Sequence, residues 1–197
     1  MKKNSLLLCS SLLLISTACS AHTGAFFEGS LGWSHTQKTE IHHDGAGTDT
    51  LKNNGVMMGA ALGYMISPCV GMEVGFGYYP DVTKLDAGRV GDHGRLTNNL
   101  LLPVAIKLQR HYGHMVPYVK IAAVFAQTKL EGPGAHSDIG GKAYYLGTYH
   151  RVQLGLSLGA NYEFAANSYI GMGGFMNMRT NPVPDIYALF ATVGYMF

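Results

Sequence analysis

Six charged side chains interrupt stretches that are otherwise apolar or made of small residues: Glu28, Glu73, Lys107, Lys120, Arg151 and Glu163. In each stretch the apolar residues fall two apart, and the charged residue has the opposite parity. All six therefore project to one side of an extended chain, away from the apolar face. Carboxylates and ammonium groups gathered away from water must pair, because an unpaired buried ion costs several kcal/mol. Such a set can lock into a polar plug, or it can act as a gate that exchanges partners and opens a narrow ion path. Histidine offers a second kind of chemistry. His42, His43 and Asp44, then Asp92 and His93, then His111 and His114, have the close spacing from which imidazoles can clip Zn²⁺ or Cu²⁺. All of them fall in connecting segments, where a polar residue needs no ligand to explain it, so no metal, catalytic residue or cofactor is assigned.

The elements that must position these groups begin after a leader. Lys2 and Lys3 form a basic start, Leu6 to Ile15 an apolar run, and small residues close the segment at Ala21. That is the pattern of a secretory signal peptide over residues 1–21, leaving 22–197 as one domain. Ser16-Thr17-Ala18-Cys19 has a faint likeness to a lipoprotein box in which Cys19 would be acylated. With Cys9 and Cys19 in or beside the leader, Cys69 is expected to be an isolated loop thiol. Charged residues make up only 13% of the chain, and 14 basic residues stand against 12 acidic ones without any basic run, so nucleic acid is excluded as a partner. No glycine spacing follows a dinucleotide or P-loop pattern, and Gly155 to Gly159 lies in a segment of strand period, where helix dimerisation does not apply.

Beyond the leader no apolar run reaches the length of a spanning helix. Eight period-two segments appear instead: 25–34, 56–66, 70–78, 100–108, 119–125, 152–162, 168–177 and 186–197. Short connections follow the second, fourth and sixth. Long polar ones, 37–54, 80–95, 129–145 and 179–185, follow the first, third, fifth and seventh. Strict alternation of long and short connections is what an up-and-down barrel needs when one end faces outward and the other a periplasm. Aromatic placement agrees. Trp33, Tyr78, Phe125 and Tyr187 fall at the long-loop end, and Tyr64, Tyr162, Tyr195 and Phe197 at the short-turn end, as two interfacial belts. The fold class is therefore all-β: an eight-stranded antiparallel up-and-down transmembrane β-barrel. Inward glycines and alanines leave room for the charged plug, and Pro103, which deletes a ladder donor, is expected to mark a bulge.

From Phe26 to Phe197 the chain resembles the small eight-stranded outer-membrane barrels of the OmpA and OmpX type. Its most specific element is the last strand, with Phe197 terminal, Tyr195 third from the end, and Val193, Ala191 and Leu189 behind them; Val116-Pro117-Tyr118 is a weaker likeness. The resemblance implies a Gram-negative outer membrane, contact with its lipids, and a C-terminal strand read by the outer-membrane assembly machinery. It implies no single activity, because such barrels serve as adhesins, anchors, narrow channels and lipid A-modifying enzymes. For an enzyme of that last kind, His35 beside Ser34, His136-Ser137-Asp138 and His150 would be the candidates, though none stands in a recognised arrangement. The expectation is a monomeric, non-enzymatic barrel with a plugged interior. It would serve envelope integrity and surface contact through the four long loops, with a low-conductance channel as the alternative.

Overall fold

From Val70 to Tyr78 the side chains alternate: Met72, Val74, Phe76 and Tyr78 are exposed, while Gly71, Glu73, Gly75 and Gly77 are buried. A strand whose apolar residues face outward and whose small or charged residues face inward inverts the usual globular pattern. It is stable only where the outer medium is hydrocarbon. The computed structural model describes residues 23–43, 47–79, 82–84, 95–131, 135–138, 143–144, 147–178 and 185–197. Residues 1–21, read as a leader, lie outside the described residues, and with them Cys19 and its likeness to a lipoprotein box.

Eight strands form the wall: β1 Gly24–His43, β2 Gly47–Ser67, β3 Val70–Tyr78, β4 Arg95–Gln109, β5 Met115–Glu131, β6 Gly147–Ala165, β7 Ser168–Asn177 and β8 Ile186–Met196. Each pairs antiparallel with its neighbours in sequence, and β1 pairs with β8 from Phe26↔Met196 to Thr36↔Ile186, closing the barrel. The seam continues to the last residue, where Phe197 N donates to Ala25 O at 2.8 Å. Closure gives every ladder edge a partner, which a wall in lipid requires.

The strands outrun the hydrophobic alternation that marks them in sequence. β1 and β2 stay paired as far as His43↔Gly47, with a register shift between Thr36 and Thr39, so most of the segment read as loop 37–54 is strand. The reason is that side-chain periodicity stops where water replaces lipid, while the backbone ladder does not. Short strands Ala135–Asp138 and Ala143–Tyr144 extend this outer hairpin at His42↔His136, and Val82–Lys84 pairs with the start of β4. Residues 85–94 and 179–184 lie outside the described residues, as do Asp44, Asp92 and His93. At the other end the connections are tight. Between β4 and β5 the chain reverses at Gly113 (φ 61°), with Tyr112 and Met115 exchanging backbone hydrogen bonds.

Two expectations change. Pro103 does not form a bulge: it stays opposite Val124 in β5, with the register of β4 on β3 unchanged. Cys69 is not an isolated thiol: it is buried at the turn between β2 and β3 and is disulfide-bonded.

Candidate functional site in the barrel interior

Lys107 and Lys120 are direct cross-strand partners on β4 and β5. Two ammonium groups so placed repel one another unless an anion comes between them. Glu28 supplies it from β1, across the lumen. Its Oε1 accepts from Lys107 Nζ at 2.6 Å, and its Oε2 from Lys120 Nζ at 2.5 Å. Lys120 Nζ also lies 2.8 Å from Glu73 Oε2 on β3. That contact is an ion pair in which both groups are buried. Tyr169 on β7 completes the set by donating its hydroxyl to Glu28 Oε1 at 2.8 Å. All five side chains are buried, and two carboxylates balance two ammonium groups.

Aromatic rings enclose the cations. Lys107 Nζ is 4.7 Å from the centre of the Phe26 ring, 5.3 Å from that of Tyr118 and 5.5 Å from that of Tyr169, inside the range where a ring face attracts a cation. Glycines make room for the rings. A side chain at Gly194 would run into the ring of Tyr169, and one at Gly63 into Phe26. Here glycine is required by close approach, not by backbone conformation.

Toward the long-loop end the lumen becomes apolar. Met57, Tyr79, Leu101, Ala105, Ala122, Val124, Ala126, Ile186 and Ala188 form a buried cluster, with Phe175 and Phe190 packed against it. A cavity of about 100 Å³ lies between this layer and the ions. Beyond the apolar layer comes a short polar one: Asn177 Nδ2 donates to Gln153 Oε1 at 2.6 Å, and Asn177 Oδ1 accepts from Ile186 N.

Four of the six sequence-derived charges, Glu28, Glu73, Lys107 and Lys120, thus come together. Two do not. Arg151 has inward parity but sits near the long-loop end of β6, where it is exposed and donates to His150 O at 3.1 Å. Glu163 lies at the short-turn end, half-buried, 3.6 Å from His111 Nδ1. Parity fixes the face of a residue but not its height, and height separates these two from the cluster. The sequence reading missed Tyr169, Tyr118 and Phe26, although Phe26 shares the parity of Glu28. It also missed the apolar layer, because inward apolar residues look like background among so many outward ones.

The aromatic residues Trp33, Tyr78, Phe125 and Tyr187, and Tyr64, Tyr162, Tyr195 and Phe197, all project from the outer wall and are exposed. Ser34 and His35 point to opposite faces of β1: Ser34 is buried and donates to Gly55 O, while His35 Nδ1 bonds Asn54 Oδ1. Strand alternation therefore forbids a dyad of these two neighbours. His150 is exposed, and the side chains of His42, His43, His136, Ser137 and Asp138 lie outside the described ones. His114 stacks obliquely on Tyr162, with ring centres 5.8 Å apart. Among the described residues no three His, Cys, Asp or Glu side chains converge as a metal site would require.

Comparison with known proteins agrees with this architecture. Neisserial surface protein A is similar in fold at a TM-score of 0.51 and 16% identity, over 88% of this chain and 99% of that one. The outer membrane protein AlkL, solved in lipid bilayers, is similar at 0.50 and 14% identity, over 92% and 94%. The outer membrane protease OmpT from Escherichia coli is similar at 0.50 and 9% identity, over 93% and 100%. At these identities the likeness is one of fold alone. No curated protein sequence matches. The family model described as "Outer membrane protein beta-barrel domain" matches residues 5–197. Nearly the whole chain is covered, so the protein belongs to the outer-membrane β-barrel family, whose setting is the Gram-negative outer membrane.

Proposed function

We propose that the protein is a closed, non-conducting, non-enzymatic monomer that stiffens the outer membrane and meets the surroundings through its outer loops. The observation that carries this reading is the filling of the lumen at two heights. Around Glu28 the ions are paired, and above them Met57, Leu101, Val124, Phe175 and Phe190 line the lumen with apolar side chains. An ion crossing that apolar layer would shed its water with nothing to replace it. This supports a plug over a gate, and the channel alternative draws no specific support.

The outer end supports surface contact. β1 runs ten residues past Trp33 to His43, about 33 Å of strand at ~3.3 Å per residue. Such a projection holds its loops clear of the lipid headgroups. In this reading residues 1–21 direct export, the two aromatic sets anchor the barrel at the interfaces, and the assembly machinery reads the strand ending in Phe197. The test is to replace residues 37–53 with a four-residue turn in cells that display the protein. Attachment to host cells or matrix should fall at least tenfold while detergent resistance of the envelope is retained. Unchanged attachment would remove this outer hairpin from the account.

A further inference from the structure

One ladder is interrupted in mid-wall. β3 pairs with β4 from Val70↔Leu108 to Val74↔Val104 and resumes at Gly77↔Leu101 in the same register, skipping Gly75 and Phe76. The residue opposite Gly75 in that register is Pro103, which has no N–H to donate. The far edge of β4 is intact, with Pro103 opposite Val124. Other interruptions between described barrel strands carry a register shift and lie at a turn or beyond the outer aromatic residues, as at Met65/Ser67 and Thr36/Thr39.

The interior cavity abuts this gap, with Gly75, Phe76 and Pro103 in its lining. Phe76 and Ala60 aim their side chains at the lipid face, so what they present to the cavity is backbone. Flanking inward positions carry no bulk either, being Gly59, Ala61 and Gly77. The wall here is one backbone thick and lacks part of its hydrogen bonding. Inside, the cavity has an ionic floor of Glu28, Glu73 and Lys120 and an apolar roof of Leu101, Val124, Phe175 and Phe190. Thr192 Oγ1 on its side is buried without a hydrogen-bond partner among the described residues.

We propose that this chamber is a binding site for one small neutral amphiphile of the short-chain alcohol class, which enters from the bilayer through the gap at Pro103. A cavity of about 100 Å³ is smaller than the ~150 Å³ that holds benzene, which limits the guest to about four or five non-hydrogen atoms. Neutrality follows from the ion cluster beneath, where Lys107, outside the lining, completes the balance of two carboxylates by two ammonium groups. A hydroxyl follows from Thr192, which needs a partner able to accept and donate, and a short alkyl end matches the roof. Entry from the bilayer follows from the gap in the β3–β4 ladder, against which the cavity lies.

The experiment is a titration of the full barrel, refolded in lipid nanodiscs, with 1-butanol, read by NMR of labelled methyl groups. Met57, Leu101 and Val124 should show saturable shifts with one midpoint, while the lipid-facing methyls of Leu102 and Val104 drift linearly. Ala122→Leu, which fills the chamber, should abolish saturation. Thr192→Val, which keeps the volume and removes the hydroxyl, should raise the midpoint about tenfold. Pro103→Ala restores a donor, and should slow exchange at least tenfold at an unchanged midpoint. Linear drift at every methyl, or a chamber in contact only with water, overturns the site. Saturation that survives both chamber variants does the same. Equal exchange rates in wild type and Pro103→Ala overturn the route.

Discussion

Lys107 Nζ lies 2.6 Å from Glu28 Oε1, although the two residues are 79 positions apart and their strands, β4 and β1, stand across the lumen from one another. Glu28 is the hub of the interior, since both ammonium groups and the Tyr169 hydroxyl reach its two oxygens. Glu28→Gln leaves two buried cations facing one carboxylate, and should destabilise the barrel by about 3–5 kcal/mol. Glu73→Gln should cost less, about 1–3 kcal/mol, because Lys120 keeps Glu28. Urea unfolding from lipid vesicles measures both, with the single tryptophan, Trp33, reporting its departure from the lipid face. Equal effects from the two substitutions would remove Glu28 from the centre.

Tyr169→Phe deletes one hydroxyl and leaves the ring over Gly194 in place. A hydrogen bond to a charged acceptor contributes about 1.5–3 kcal/mol, and the variant should lose that much while keeping its fold. The same unfolding assay checks it. An unchanged midpoint would mean that the hydroxyl at 2.8 Å adds nothing.

Gly194→Val puts branched bulk where the Tyr169 ring lies. Overpacking of this kind costs about 1–3 kcal/mol or more, and the displaced ring would also pull its hydroxyl from Glu28. Gly194→Val combined with Tyr169→Ala should recover part of the loss. If the double variant is no better than the single one, ring and glycine are not a packed pair.

Arg151→Ala should change stability by less than about 0.5 kcal/mol, since the side chain is exposed at the long-loop end, away from the ions. Lys107→Ala, by contrast, leaves two buried carboxylates sharing Lys120 and should cost about 3 kcal/mol or more. Similar losses from both would restore Arg151 to the interior network.

These contrasts show where the sequence stops being informative. Period-two alternation identifies each wall strand, because lipid outside and packed side chains inside impose it on every residue from Met72 to Tyr78. Connection length gives the up-and-down order. Neither signal carries height along the barrel axis. Glu163 and Glu28 therefore look equivalent in sequence, yet one meets His111 at a turn and the other sits among lysines. Strand length is hidden for the opposite reason: past Trp33 the ladder persists after its hydrophobic pattern has ended. Tyr169 was concealed by its type, since an aromatic beside a turn is expected in a belt, and only the bare Gly194 opposite it betrays that it points inward.

The claim on which the account rests is that the lumen is sealed by the Glu28 ion cluster below and the Phe175–Phe190 layer above. Single-channel recording of the refolded wild-type protein in planar bilayers tests it most directly, with insertion verified by the mobility difference between unheated and boiled samples. The account predicts no unitary current steps over a wide voltage range. Regular steps from wild-type protein that change size in Lys107→Ala would contradict it, and would make the cluster a gate instead of a plug.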